Sequence, residues 1–447
     1  MAITIVQKSQ AARKRRPTIA LALSGGAMSG GAFKIGGLLA LDLLLANRSV
    51  CDFDIYAGIS AGSFLVTPLA AGISPQEVLR SFTGRSHRFA PFRMIDFYYP
   101  NVSEVAGKGK TALEELAAIY PNLLWSAARL ASKTGLLAAG RIRRFFGKGK
   151  GAARRDMFER QRKELAALAE QLPSLASFVP SGVFDNSSIE RYMRRNLLRA
   201  RVPNNFSLLA RERGRRLYIH TVDLDTAQDV IFGPDERNDA TISEAVQAST
   251  ALPGFYRPAL INGRYYIDGS AKQTAPIELV KQKGADLIIC YNPFRPFSHA
   301  PTKTLSAKYA SMGEMGLSMI IDQSIRTLLY SRLSLAIEDL RNDPSFHGDV
   351  VVMEPAESDS EYFAINPLSF WKRAEAARHG FITVFRDVER NYARIQELFS
   401  TYGLVTDIGR LKSVAERLGT ATTEAQLIEA LTASPSPKSG SAAGITT

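Results

Sequence analysis

Cysteine is scarce in this chain. Cys51 and Cys290 are the only two in 447 residues. Two thiols build neither a disulfide framework nor a metal motif, and beside strands they suit a reducing cytosol. No metal and no cofactor is expected. Long apolar runs are missing as well. No stretch of about 20 residues stays apolar without Gly, Pro or charge, so no transmembrane helix is expected. A secretory leader is not expected either, because Arg13-Lys14-Arg15-Arg16-Pro17 leads into a short strand and a glycine loop, not into an apolar leader core. These expectations place the chain in the cytoplasm, with peripheral membrane contact left open.

Positive charge is abundant. The net formal charge is +13, and two segments hold more than all of it. Residues 1–16 carry Lys8, Arg13, Lys14, Arg15 and Arg16 with no acid, and residues 129–163 carry twelve Lys or Arg against Asp156 and Glu159. Patches of this kind favour an anionic membrane surface or nucleic acid. A solvated basic face is the plain alternative. No recognisable RNA or DNA module accompanies the charge, so nucleic acid is the weaker partner.

Hydrophobic patterning predicts an α/β domain. Thr18–Leu23, Asp54–Ala57, Leu217–Val222, Asp229–Phe232, Tyr265–Asp268, Leu287–Tyr291 and Val350–Met353 read as strands. Helices are expected over Ala32–Ala46, Ala61–Ala71 (cut or kinked by Pro68), Ser188–Leu198, Ser243–Ser249, 305–341 and 366–399. Strands interleaved with helices argue for a largely parallel sheet covered on both faces. The expected organisation is a basic tail over 1–16, a catalytic domain over 17–300, and a mostly helical region over 301–432. A Ser/Pro/Gly/Ala-rich disordered tail over 433–447 ends it. Residues 75–180 read as a basic insertion, with helices at Leu113–Ala118, Leu123–Leu137 and Met157–Leu172.

Three segments carry chemistry. Gly58-Ile59-Ser60-Ala61-Gly62 lies between a strand and a helix. That is where a strained turn exposes a serine hydroxyl, and Gly58 and Gly62 let the chain pass closely. Ser24-Gly25-Gly26-Ala27-Met28-Ser29-Gly30-Gly31 also joins strand to helix, and its N–H groups can converge on a developing oxyanion. It matches neither the dinucleotide nor the Walker phosphate loop. Asp268-Gly269-Ser270 ends a strand, where a carboxylate can take a serine proton; an ordinary Asp-Gly turn reads the same way.

Together these segments resemble the patatin-like phospholipases. Leu21–Gly26 with Gly36-Gly37-Leu38 is similar to that family's opening strand, loop and helix. Asp54–Ser63 is similar to its nucleophile segment, and Ala248–Pro258 to its alanine-serine then proline-glycine segment. Gly263–Ser270 resembles its aspartate motif, and Pro276-Ile277 and Gly284–Asp286 continue the likeness. The resemblance covers about residues 18–292 without the insertion. It implies a three-layer α/β/α fold and a Ser–Asp dyad without histidine. Ser60 would be nucleophile, Asp268 general base, and the N–H groups of Gly25, Gly26 and Ala27 the oxyanion hole; Gly269 is a motif glycine. The chain departs from the family pattern where Ala27 interrupts the glycines and no arginine stands in the loop.

The implied activity is hydrolysis of a lipid ester through an acyl-enzyme, as in a phospholipase A or lysophospholipase. A thioesterase, an acyltransferase and a storage-polyester depolymerase would use the same dyad. A non-catalytic lipid-binding scaffold is the reading from another class. A Ser–Asp–His triad would draw on His299, His347 or His379. Residues 129–163, with Leu130, Phe145 and Phe146 among the charges, suit docking to an anionic membrane.

Overall fold

A computed structural model describes residues 3–9, 16–102, 104, 181–298 and 311–433. The expected helices within 105–180, the basic stretch 129–163, residues 305–310 and the tail 434–447 lie outside the described residues. Two compact units are formed, one by Met1–Tyr99 with Phe184–Thr447 and one by Pro100–Val183. In the second, the Asn101 amide donates to Glu104 Oε2 at 2.6 Å, and the Ser181 N–H donates to Glu104 Oε1 at 2.9 Å.

The first unit is built on a nine-stranded sheet. Its strands are β1 (Ile3–Gln7), β2 (Ile19–Leu23), β3 (Ile55–Ile59), β4 (Arg216–Asp223), β5 (Asp229–Phe232), β6 (Ala259–Ile261), β7 (Arg264–Asp268), β8 (Leu287–Tyr291) and β9 (Asp349–Met353). Across the sheet they run β1-β9-β8-β2-β3-β4-β7-β6, with β5 paired to β4. The central run β9-β8-β2-β3-β4 is parallel, and the flanking strands β1, β5, β6 and β7 are antiparallel.

Helices cover both faces. They are α1 (Ala27–Leu44), α2 (Ala61–Ala70), α3 (Pro75–Ser81), α4 (Ser187–Arg199), α5 (Phe206–Arg213), α6 (Ile242–Ser249), α7 (Ile277–Gln282), α8 (Leu317–Asn342), α9 (Arg373–Arg390), α10 (Tyr392–Thr401), α11 (Gly409–Thr420) and α12 (Glu424–Thr432). The alternation in β2 shows how the faces differ. Ile19, Leu21 and Leu23 enter the large core shared with α1, α2 and α9. Ala20 and Ala22 face the smaller core under α7 and α8, where Leu333 and Leu340 pack. In β2 the bulky residues thus face the larger core and the small ones the smaller core.

Helix α1 begins five residues before the expected start, inside the glycine-rich loop. Its first turn is held from outside: the N–H groups of Met28 and Ser29 both donate to the Pro367 carbonyl at 3.0 Å. Tertiary contacts override the weak helix propensity of Gly30 and Gly31. By length and mean hydropathy (1.3) α1 could cross a membrane, but 83% of it is buried inside the protein. Against it lies α9. A Cβ on Gly36 would sit 1.9 Å from the Ala377 carbonyl oxygen, and one on Gly380 1.9 Å from that of Phe33. The two backbones touch where side chains would hold them apart.

The reading of residues 1–16 as a polar tail is corrected over Ile3–Gln7, which pairs with β9. Ile3 and Val6 are buried, and the Lys8 ammonium donates to the Leu340 and Asp343 carbonyls. Residues 75–99 belong to the first unit. There Phe82, Phe89, Phe92 and Phe97 join Phe64 and Tyr192 in one aromatic cluster. Strand β3 runs two residues beyond the expected end and reaches Ser60 directly. Helix α2 stops at Ala70, two residues past Pro68.

Candidate active site

Register brings the three segments to one end of the sheet. Leu23 of β2 pairs with Gly58 of β3, so the chain after Leu23 leaves beside Ser60. Ile59 of β3 pairs with His220 of β4, and Thr221 of β4 pairs with Asp268 of β7. Ser60 and Asp268 therefore sit on either side of β4 although 208 positions separate them. Ligand sites in α/β sheets form at such carboxyl ends.

Ser60 occupies a turn with φ 54° and ψ −127°. A positive φ on a residue with a Cβ is strained, and the surroundings must hold it. They do so from three sides. The Ser60 N–H donates to Ser249 Oγ at 2.9 Å, its carbonyl accepts from Ser63 Oγ at 2.6 Å, and α2 starts at the next residue. Gly58 and Gly62 permit the tight path. A Cβ on Gly58 would meet the Ser63 backbone at 2.6 Å, and one on Gly62 the Leu23 carbonyl at 2.2 Å. Gly269 passes His220 as closely, 2.6 Å from the carbonyl oxygen to where a Cβ would be.

Asp268 is 1% exposed. Its Oδ1 accepts the Ser270 N–H at 2.8 Å, while Oδ2 is buried without a hydrogen-bond partner. Burial pushes the carboxyl pKa above its ordinary value, against the Ser60 hydroxyl, Ser270 and the His220 ring, which favour the charged form. A carboxylate with an open lone pair and a raised pKa has the properties of a general base. The Gly269–Ala271 turn after it is pinned by Arg332 of α8, which donates to the Ser270 and Ala271 carbonyls at 3.1 Å.

The glycine loop faces the serine. A Cβ on Gly25 would stand 3.2 Å from Ser60 Cβ and 2.7 Å from Ser270 Oγ. Gly26 takes φ 139° and lies on Pro293. The N–H groups of Gly25, Gly26 and Ala27 have no partner among the described residues, whereas those of Met28, Ser29 and Gly30 are all taken. The missing loop arginine has no substitute within the loop itself.

The alternative histidines lie elsewhere. His379 of α9 is held by Asp359 at 3.0 Å, His347 is exposed, and His299 lies outside the described residues. Among the described residues, none of them hydrogen-bonds to Ser60 or Asp268. Sequence reasoning passed over His220, which is buried with Nε2 2.8 Å from Asp229 Oδ1. It also passed over Ser249 and Lys34. No group of three or more His, Cys, Asp or Glu able to hold a metal occurs among the described residues.

Among solved structures, VipD from Legionella pneumophila is 18% identical with TM-score 0.37, over 87% of this chain and 70% of that one. The complex of full-length SpcU with full-length ExoU from the Pseudomonas aeruginosa type III secretion system matches at 16% identity and TM-score 0.26, over 96% and 72%. Human GIVD cytosolic phospholipase A2, solved with methyl gamma-linolenyl fluorophosphonate, matches at 12% identity and TM-score 0.31, over 89% and 59%. The patatin-like phospholipase profile matches residues 21–281, from β2 through Asp268 into α7; the chain belongs to the patatin-like phospholipase family.

Proposed function

We propose that the protein hydrolyses carboxylic esters of lipids, of the phospholipase A or lysophospholipase type, through an acyl-enzyme on Ser60. Membership of the family supports lipid hydrolysis. The observation that carries the mechanism is the strained Ser60 turn beside a buried Asp268 carboxylate with one oxygen unpaired. In this reading Asp268 takes the Ser60 hydroxyl proton as Oγ adds to the ester carbonyl. The N–H groups of Gly25, Gly26 and Ala27 receive the oxyanion. Collapse expels the alcohol, which leaves with the proton from Asp268. Water, deprotonated by the same carboxylate, then releases the acid. A thioester or a polyester would pass through the same steps.

The substrate is proposed to be met at an anionic membrane surface, by a protein otherwise resident in the cytoplasm. Two features support this. The basic stretch 129–163 mixes charge with Phe145 and Phe146. Helix α8, whose Arg332 grips the turn after Asp268, exposes Leu317, Ile320, Ile321, Ile325 and Leu328 on one side. Exposed apolar rows of this kind mark lipid or protein contact.

The test is a panel of phospholipids, lysophospholipids and short-chain esters given to wild type, Ser60→Ala and Asp268→Asn. Both variants should lose activity on every substrate that wild type cleaves. Hydrolysis at the wild-type rate by Ser60→Ala would sink the proposal. Equal vesicle binding at low salt by wild type and a 129–163 deletion would remove that segment from it.

A further inference from the structure

Lys34 is the one lysine among the described residues that is wholly buried, at 0% exposure in α1. Its ammonium has no carboxylate hydrogen-bond partner among the described residues. It donates instead to two backbone carbonyls, those of Ser24 and, at 2.6 Å, Gly25. These belong to the peptide units whose N–H groups are those of Gly25 and Gly26. In a trans peptide the C=O and N–H point in opposite directions, and no cis bond occurs among the described residues. A cation that draws both carbonyls inward therefore turns both N–H groups outward. The third unit follows the same pattern, because the Gly26 carbonyl accepts the Gly30 N–H at 2.8 Å inside α1 and leaves the Ala27 N–H outward.

Resting on the reading of Ser60 as nucleophile, we infer that Lys34 is the positioning residue of the oxyanion hole, fixing the Gly25 and Gly26 amides toward Ser60 and polarising them from behind. The interaction is charge-assisted, which makes each carbonyl a stronger acceptor partner and each attached N–H a stronger donor. It also supplies the positive charge that the loop itself does not carry. An oxyanion forming on the far side of these peptides is stabilised by the ammonium, whereas the neutral ester is not. The benefit therefore falls on the transition state. Burial opposes the charge and brings the Lys34 pKa down to about 7, while the Asp268 carboxylate favours it.

The experiment is steady-state hydrolysis of a short-chain nitrophenyl ester by the full chain, comparing wild type, Lys34→Met, Lys34→Gln and Ser60→Ala, each checked for folding by circular dichroism. Lys34→Met should lower kcat by about 100-fold, as loss of an oxyanion donor does, with KM within about twofold of wild type. Lys34→Gln keeps N–H donors and should recover about tenfold of that loss. A kcat for Lys34→Met within about threefold of wild type overturns the inference, as does a Lys34→Gln no better than Lys34→Met. If the Met variant does not fold, Lys34→Gln decides alone: about tenfold lower kcat at unchanged KM supports the role, and wild-type kcat overturns it. Activity that survives in Ser60→Ala removes the nucleophile reading and this inference with it. Activity that depends on Ser60 but not on Lys34 removes the inference alone.

Discussion

The backbone N–H of Ser60 donates to the hydroxyl of Ser249, 2.9 Å away, and that hydroxyl donates to the His220 carbonyl at 2.8 Å. One buried side chain thus ties the strained turn after β3 to β4 and to the end of α6. Ser249→Ala leaves an N–H and a C=O unpaired in the interior. The expected cost is about 1–3 kcal/mol of stability in urea unfolding. Because the Ser60 turn loses its anchor, kcat should fall in the folded variant while KM holds.

Two glycine substitutions should separate chemistry from packing. In Gly25→Ala the new methyl meets mainly side chains, Ser270 Oγ at 2.7 Å, Ser60 Cβ at 3.2 Å and Phe294 at 3.3 Å. The fold should tolerate it, but the methyl fills the space before the nucleophile, and kcat should drop by about 100-fold or more. In Gly36→Ala the methyl meets the backbone of Ala377 at 1.9 Å. Helices α1 and α9 must separate, at about 1–3 kcal/mol or more. Thermal melting and kinetics on both variants check the contrast.

Activity should rise and then fall with pH. In the proposed mechanism Asp268 must be ionised to accept the proton, and burial holds its pKa above the ordinary 3.8, so the acidic limb should be displaced upward. Lys34 loses its charge as pH passes about 7, which sets the alkaline limb. Cys290 beside it stays a thiol, since burial raises its pKa. Stability linked to Lys34 runs the other way. Its folded pKa lies below the unfolded 10.5, so the unfolded chain holds a proton that the folded chain has released. That stability is full above 10.5 and is lost as pH falls through about 7. Lys34→Met should flatten both the alkaline limb of kcat and this part of the stability curve.

The exposed apolar face of α8 should matter only for aggregated substrate. Leu328 is 66% exposed and Ile325 48%. The double substitution Ile325→Ser and Leu328→Ser removes apolar surface that would otherwise enter a bilayer. Phospholipid hydrolysis on anionic vesicles should fall by about tenfold or more, with a soluble ester cleaved as before. An equal loss on both substrates would mean that the helix had been damaged instead.

Much of this arrangement is legible in the sequence because its signals are local. Alternating or continuous apolar runs mark β2, β3, β4 and β8, and the glycines around Ser60 mark a turn that only such residues allow. The three open N–H groups fall where the loop's small residues place them. What escapes is non-local. Ile3–Gln7 alternates like a strand but sits among basic residues, and its partner is about 350 positions away. Lys34 looks like an ordinary helical lysine, and only the returning loop gives it acceptors. His220 precedes Asp268 and so falls outside the order expected of a triad, and Ser249, though it lies in the alanine-serine segment, acts through a backbone contact that the segment does not reveal.

The pairing of β1 with β9 has a consequence for how the chain is made. Ile3 is hydrogen-bonded to Asp387, and Ile3–Gln7 pairs with Met353–Asp349. None of these partners exists until about 340 further residues have been translated after Gln7. Strand β1 must therefore wait, unpaired, until β9 has emerged. Closing that edge is a late event of folding, and contacts so distant in sequence are slow to form. A nascent chain stalled before residue 349 would carry the complete Ser60 and Asp268 segments and still present a free sheet edge for chaperones, or for another copy, to bind.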